Sequence, residues 1–166
     1  MYRIIRQFEF SYAHRLWPGS TNELVCPTSR CTRLHGHNAV VELELTASSV
    51  DAGGFVYDFT DLERQFGEWI RNHWDHRTFL HQADPLVPLL RDPPNGERLP
   101  EGTSALRTFA SNPTCEVFAE SLYEVARRLG VPVSAVRFHE TPRNQAEYRP
   151  SPQAGTDTEL VYTKPT

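Results

Sequence analysis

Apolar and polar residues alternate over two long stretches near the start of the chain, and both stretches predict β-strands. In residues 2–14, the side chains of Ile4, Phe8 and Phe10 fall on one face. In residues 35–47 one face is mixed, and the other carries His37, Ala39, Val41, Leu43 and Leu45. A strand with one apolar face is typical of an antiparallel sheet that is covered on one side.

Two later stretches have the spacing of amphipathic helices. The first begins with Thr60-Asp-Leu-Glu63, which has the form of a capping box, and its apolar positions continue to about Trp74. The second is predicted to begin at Thr114, a good N-cap residue, and to end near Gly130. The apolar stripe of each helix is expected to pack against the sheet.

Short alternating segments at residues 134–139 and 159–164 predict the last two strands. The order β-β-α-α-β-β predicts an α+β fold with two helices on one face of an antiparallel sheet. The 166 residues are expected to form a single domain, 1–166. Residues 83–112 hold five prolines and two glycines, so this Pro-rich insertion is expected to contain little regular structure.

Composition excludes several classes of protein. The formal net charge of −4 argues against a general nucleic-acid surface, which would be basic. Three cysteines are too few for a disulfide framework and favour a reducing cytoplasm. The first residues lack the apolar region of a signal peptide, and no run approaches transmembrane length. We therefore expect a cytoplasmic protein that binds neither nucleic acid nor membrane.

Three histidines form a candidate metal site. His35 and His37 are two residues apart in the second predicted strand, so their rings leave the same face roughly 6–7 Å apart. His14 ends the first predicted strand, in phase with its apolar residues. If the two strands pair, three imidazoles converge, and three histidines with an open fourth position are the layout of a catalytic zinc site.

Cys31, in the turn before His35, allows two interpretations. A thiolate near a metal dication can act as a base at neutral pH. Alternatively, Cys31 is the fourth ligand of a closed structural site. With Cys26 as a further ligand, the chain would be a zinc-stapled binding domain without catalysis, although His14 would then have no role. Cys115, at a predicted helix start, is interpreted as a packed residue.

Five segments together resemble the 6-pyruvoyl-tetrahydropterin synthase and 6-carboxytetrahydropterin synthase family. In order between about residues 2 and 163, they are Phe10-Ser-Tyr-Ala-His14, Cys31-x-x-x-His35-Gly-His37, Trp74-Asp75-His76-Arg77, Asn112-Pro113-Thr114-Cys-Glu116 and the segment from Val136 to Tyr148, which contains Glu140. The resemblance implies the tunnelling fold, in which subunits join their sheets into a barrel and usually form a homohexamer.

The resemblance also implies a role for each segment. A Zn²⁺ ion would hold the side chain of a pterin substrate. Its ligands are implied to be His14, His35 and His37. The catalytic acid–base residues are implied to be Cys31, Asp75, His76 and Glu140. The pterin ring is implied to contact Glu140 and Thr114, since one carboxylate can accept both N–H groups of the ring edge.

The substrate implied by the resemblance is 7,8-dihydroneopterin triphosphate. Its phosphates need cations, and the arginines beside the motifs are Arg15, Arg33, Arg77 and Arg143. The three-residue gap between Cys31 and His35 resembles the 6-carboxytetrahydropterin synthases, which release acetaldehyde and triphosphate and supply 7-deazaguanine synthesis, for queuosine or a preQ0-derived metabolite. The 6-pyruvoyl product is the alternative within the same fold.

Overall fold

Six strands form one sheet in the order β4-β3-β1-β2-β5-β6. The computed structural model describes residues 1–19, 28–91 and 105–151, so Cys26 and the strand predicted at 159–164 lie outside the described residues. The strands are β1 Tyr2–His14, β2 His35–Ala47, β3 Arg77–His81, β4 Leu106–Phe109, β5 Val133–Thr141 and β6 Asn144–Tyr148. The bounds of β1 and β2 confirm the two strands predicted first.

The centre of the sheet is the antiparallel pair of β1 and β2, which is continuous from Tyr2 opposite Ala47 to His14 opposite His35. Strands β5 and β6 extend it in antiparallel fashion. On the other edge, β3 runs parallel to β1 and β4 runs parallel to β3. The α+β class is confirmed, but the sheet is mixed rather than purely antiparallel. Phe79, Leu80 and His81 of β3 are all buried, so this strand shows no alternation of buried and exposed positions.

The first predicted helix is present, but a different residue caps it. The side chain of Asp58 accepts a 2.7 Å hydrogen bond from the N–H of Thr60, so the helix begins at Phe59 and the capping box predicted at Thr60 is wrong. Helix α1 (Phe59–Leu62) continues through a π-helical turn (Glu63–Gly67) into α2 (Glu68–His73), and Trp74 ends it as predicted.

The long C-terminal helix confirms both predicted ends. It spans Cys115–Arg128, and the hydroxyl of Thr114 accepts from the N–H of Val117 at 3.5 Å. Gly130 follows with a φ of +79°, a conformation that glycine adopts without strain. We number this helix α4, because a short helix precedes it.

That short helix, α3, and strand β4 lie in the Pro-rich insertion, so the expectation of little regular structure there is wrong for its described part. Helix α3 spans Leu86–Arg91, and its Pro88 falls in the first turn, where backbone N–H groups have no intrahelical acceptor. A small apolar cluster joins Leu80, Val87 and Leu106. Since neighbouring Phe79 faces the main core, this cluster lies on the opposite face of the sheet.

Helices α2 and α4 both cover one face of the sheet, as predicted. Phe66, in the π-helical turn between α1 and α2, meets Phe8 of β1 with ring centroids 5.2 Å apart. Phe118 of α4 meets Phe138 of β5 at 5.0 Å. Burial of these large rings dominates the energetics of the core, and it holds the site-bearing ends of β1 and β2 in place.

Candidate metal centre and cleft

The strand register brings the three histidines together. His14 lies directly opposite His35, and His37 lies opposite Tyr12, one side-chain step along the same face. Their ring centroids are 4.6, 4.9 and 5.2 Å apart. One possible ligand atom of each lies within 4.8 Å of the others, so this three-histidine group could hold a metal ion.

Hydrogen bonds to backbone carbonyls orient two of the rings. The Nδ1 atom of buried His14 lies 2.8 Å from the carbonyl oxygen of Pro113. That of His35 lies 2.6 Å from the carbonyl oxygen of Arg33. A carbonyl only accepts, so Nδ1 carries the proton and Nε2 keeps the lone pair that a metal needs.

The remaining nitrogens fit a metal ion. The Nε2 atoms of His14 and His37 are buried and have no hydrogen-bond partner among the residues that the structure describes. The pKa of His14 is lowered to about 4, mainly because the ring is buried. The hydrogen bond to Pro113 raises this pKa, and the nearby imidazoles of His35 and His37 lower it. Burial also lowers the pKa of His37. Neutral imidazoles with unsatisfied Nε2 atoms are a donor set that suits a divalent transition metal.

A cleft of about 490 Å³ opens beside His14. Four residues predicted for the site line it, namely His14, Cys31, Thr114 and Glu140. The other lining residues are Leu16, Cys115, Glu116, Arg143, Asn144 and Gln145. A concave space with a few convergent polar groups is the usual form of a small-molecule site.

Cys31 lies at the mouth of this cleft, and its side chain is exposed. It belongs to a 3₁₀ turn, Arg30–Thr32, and its carbonyl oxygen accepts from the N–H of Leu16 at 2.8 Å. Within the described ranges, the group that could hold a metal consists of the three histidines without Cys31. This arrangement places the Cys31 thiol outside the three-histidine group, which argues against Cys31 as a fourth ligand.

Glu140, near the end of β5, faces the three-histidine group. Its Oε1 atom lies 3.3 Å from Nε2 of His14 and 3.6 Å from Nε2 of His37. Its side chain is 19% exposed, so the carboxylate can meet a ligand that enters the cleft. Thr114 also borders the cleft, but its hydroxyl already caps α4.

The structure does not bring Asp75 and His76 to the same cleft. Asp75 accepts from the backbone N–H of Ser11 at 2.9 Å and pairs with Nδ1 of His76 at 2.9 Å. The His76 side chain is 78% exposed, and neither residue lines the cleft of its own chain. The two residues are paired with each other, as expected, directly before β3 and beside Ser11 of β1.

The arginines proposed for the phosphates have different surroundings. Arg15 donates two hydrogen bonds to the buried carboxylate of Asp84. One comes from its Nε atom at 2.7 Å, and the other comes from a terminal guanidinium nitrogen of Arg15. Arg77 donates to the carbonyl oxygen of Asn72 at 3.1 Å, and Arg33 is exposed. Of the four, Arg143 is the one that lines the cleft.

Sequence patterns missed two neighbours of the three-histidine group. Tyr12 packs against the rings of both His14 and His37, and the alternating pattern gave its face but no role. The carbonyl of Pro113 orients His14, and no side-chain signal marks a backbone acceptor. Both became visible only when the strands and α4 were placed together.

Fold and site together define a pterin-synthase type of enzyme, and similarity to known proteins agrees. The model of the 6-pyruvoyl tetrahydropterin synthase family matches residues 3–151, and the chain belongs to this family. The predicted membership, the fold and the assignment as a lyase-type enzyme similar to 6-carboxytetrahydropterin synthase are confirmed. No helix in the described part of the chain is long and apolar enough to cross a membrane.

Two curated relatives and two solved structures illustrate the similarity. The 6-carboxy-5,6,7,8-tetrahydropterin synthase of Rickettsia felis is 29% identical over 148 residues, which cover 86% of this chain and 96% of that protein. Its counterpart from Aquifex aeolicus is 27% identical over 165 residues, which cover 89% of this chain and 98% of that protein.

Two solved structures resemble this one. An uncharacterized protein from Wolinella succinogenes has a TM-score of 0.71 at 30% identity, and the match covers 90% of this chain and 98% of that one. The 6-pyruvoyl tetrahydropterin synthase of Caenorhabditis elegans has a TM-score of 0.63 at 22% identity, with coverages of 90% and 96%.

Proposed function

We propose that the chain is a zinc-dependent 6-carboxytetrahydropterin synthase. It would convert 7,8-dihydroneopterin triphosphate and one water to 6-carboxytetrahydropterin, with release of acetaldehyde and triphosphate. The observation that carries this proposal is the pair of buried Nε2 atoms of His14 and His37, which make no hydrogen bond within the described residues, beside a cleft that also contains Cys31 and Glu140. The names of the curated relatives support the carboxy product over the pyruvoyl product.

The three-histidine group would hold the metal through one nitrogen from each ring. When bound there, Zn²⁺ supplies Lewis-acid polarisation of an oxygen on the substrate side chain. The exposed Cys31 thiol removes a proton from the adjacent carbon as a thiolate. Glu140 accepts the two N–H groups of the pterin edge, and Thr114 borders the same ring.

Asp75 and His76 would act as the second acid–base pair. The carboxylate holds the proton on Nδ1 of the imidazole, which leaves Nε2 to exchange a proton with the substrate. Because this pair is absent from the cleft of its own chain, the proposal requires another copy to bring it there. A homohexamer of single-domain subunits in the cytoplasm, serving 7-deazaguanine (queuosine or preQ0) synthesis, is the proposed setting.

Turnover of the purified, zinc-loaded protein tests this function. Incubation with 7,8-dihydroneopterin triphosphate, followed by mass spectrometry, should show acetaldehyde and 6-carboxytetrahydropterin. A 6-pyruvoyl product would move the chain to the sister activity and leave the site assignments in place. No turnover by the zinc-loaded protein would contradict the proposed reaction.

The Cys31→Ala variant separates an enzyme from a zinc-stapled binding domain. The enzyme should keep its zinc and lose turnover, since Cys31 stands outside the metal group. Loss of zinc together with unfolding would favour the binding domain. Cys115→Ser, a change of a second cleft thiol, is the matched control and should keep both zinc and fold.

A further inference from the structure

The segment that follows β1, residues 15–17, lies between the three-histidine group and the turn that carries Cys31. His14 directly precedes the segment, and Leu16 lines the same cleft as Cys31. The N–H of Leu16 donates a 2.8 Å hydrogen bond to the carbonyl oxygen of Cys31. A shift of this segment would therefore move the thiol relative to the cleft.

The turn that carries Cys31 is short and spans Arg30–Thr32. Among the described residues, its other backbone hydrogen bonds stay between residues 29 and 33. The Cys31 side chain is exposed, so packing does not fix it. The bond from Leu16 is thus the contact that ties this turn to the end of β1.

A buried ion pair holds the segment in place. Arg15 donates to the carboxylate of Asp84 through Nε at 2.7 Å and through a terminal guanidinium nitrogen. The Asp84 side chain is fully buried, and it also accepts from the N–H of Leu86 at 2.8 Å, at the start of α3. Two bonds from one planar guanidinium fix direction as well as distance, so Arg15 has a defined place.

The other end of the segment is fixed as well. The side chain of Asn112 accepts from the N–H of Trp17 at 2.8 Å and donates to its carbonyl oxygen at 3.1 Å. Leu16 therefore lies between two fixed neighbours. Burying two charges costs about as much free energy as their attraction returns, and apolar replacements are often as stable. The pair of Arg15 and Asp84 is thus better explained by the position it defines than by the stability it adds.

We propose that Arg15 is a positioning residue. Its two bonds to Asp84 fix the backbone at Leu16, which in turn holds the Cys31 thiol in the cleft. This inference rests on the proposed function, in which Cys31 is the base. A displacement of about 1 Å between reacting groups can cost about 100-fold in rate. Release of the pair should therefore slow the reaction without weakening the binding of substrate.

Arg15→Lys tests this role, because it keeps the positive charge and removes the two-bond geometry. With 7,8-dihydroneopterin triphosphate, kcat should fall about 10-fold to 100-fold and KM should change less than about 2-fold. The zinc content should equal that of the wild type. An unchanged kcat, with or without a raised KM, would overturn the inference. Loss of zinc would also overturn it, since Arg15 would then act on His14.

Hydrogen exchange resolved to single amides gives a readout that does not depend on turnover. The amide of Leu16 should be protected in the wild type and exchange at least about 10-fold faster in Arg15→Lys, as should the amide of Arg33 in the Cys31 turn. Unchanged exchange at either amide would refute the link. If the wild type lacks turnover while both rates change as expected, the proposed function fails and the positioning stands.

Arg137→Lys is the matched control for both measurements. The side chain of Arg137 is 19% exposed, against 20% for Arg15, and it also pairs with a buried carboxylate, that of Glu44. This pair lies on the sheet face opposite the main core. The values of kcat and of Leu16 exchange in this variant should equal those of the wild type. An equal loss in both lysine variants would show a general loosening of the fold and overturn the inference.

A double variant separates position from stability. Arg15→Met combined with Asp84→Asn removes both charges, so no buried charge is left unpaired, and its Tm should stay within about 5 °C of the wild type. Its kcat should nevertheless fall as far as that of Arg15→Lys. Full activity of the folded double variant would overturn the inference.

Discussion

The Nδ1–H group of His14 donates a 2.8 Å hydrogen bond to the carbonyl oxygen of Pro113, which directly precedes the N-cap of α4. Strand β1 and the start of α4 are thereby joined at the three-histidine group. The bond fixes which nitrogen of His14 faces the other two histidines. Partners of this kind orient metal ligands and are a substantial part of metal affinity.

Asn112 should contribute to metal affinity through this bond. Its amide accepts from the N–H of Trp17 at 2.8 Å and donates to the carbonyl of Trp17 at 3.1 Å, which holds the segment before Pro113 against the exit of β1. Asn112→Ala should weaken zinc binding about 10–100-fold, as changes to such supporting groups do. Competition with a chromogenic chelator measures this.

A second amide provides the control for that experiment. Gln7→Ala also removes a side-chain amide that makes a hydrogen bond. In this case the bond is exposed and joins Gln7 of β1 to Glu42 of β2. Zinc affinity should be unchanged in this variant. Equal affinities in the Asn112 variant and the wild type would show that Pro113 stays in place without the Trp17 contacts.

The thiols of Cys31 and Cys115 should differ sharply in reactivity. Cys31 is exposed, whereas burial and the charges of Glu140 and Glu116 raise the pKa of Cys115 to about 12. At pH 8 iodoacetamide should therefore modify Cys31 first and Cys115 only after unfolding. Peptide mass spectrometry in a Cys26→Ser background reads out both sites, and comparable rates at the two would refute the prediction.

The pair of Arg15 and Asp84 should anchor the Pro-rich insertion to the end of β1. The Asp84 side chain is fully buried, and that of Arg15 is 20% exposed. Asp84→Asn removes one partner of a buried ion pair, which costs about 3 kcal/mol, or a fall in Tm of about 6–12 °C. Glu68→Gln, the same change on an exposed helix carboxylate, should move the Tm by less than about 2 °C. Similar melting of both variants would contradict the anchoring role.

The carboxylate of Glu44, on the face of β2 opposite the main core, should make the free energy of unfolding depend on pH. Glu44 is 1% exposed and accepts from Arg137 at 2.8 Å and from Arg149 at 2.7 Å. Burial alone would raise the pKa of Glu44, but these hydrogen bonds outweigh it and the pKa is lowered. Stabilisation by a group with a lowered folded-state pKa is complete above its unfolded-state pKa and is lost as pH falls through the folded-state value.

Urea unfolding at pH 7, 5, 4 and 3 checks this dependence. The free energy of unfolding of the wild type should fall below about pH 4.5, near the unfolded pKa of glutamate. The variant Glu44→Gln should be less stable at pH 7 and lose less stability on acidification. Glu9→Gln, on an exposed position of β1, should keep the wild-type slope. Parallel curves for wild type and Glu44→Gln would contradict the role of this carboxylate.

The local sequence pattern alone predicted strands β1 and β2, the shared face of the three histidines and the ends of α4. The alternation in β1 and β2 predicted their bounds, and it put His14, His35 and His37 on one face before their pairing was known. Thr114 and Gly130 marked both ends of α4, because each acts on backbone groups within one helical turn. These signals depend on neighbours in sequence, so the residues alone carry them.

The tertiary structure decided what depends on residues far apart in the chain. Tyr12 meets Phe118, and His14 meets Pro113 at a separation of 99 residues. Arg15 was one of four arginines expected near the phosphates, and the structure pairs it with Asp84, 69 residues away. Such contacts arise when packed helices and strands bring distant backbone and side-chain groups together. Sequence periodicity gives the face of each element, but only its packing selects the partner.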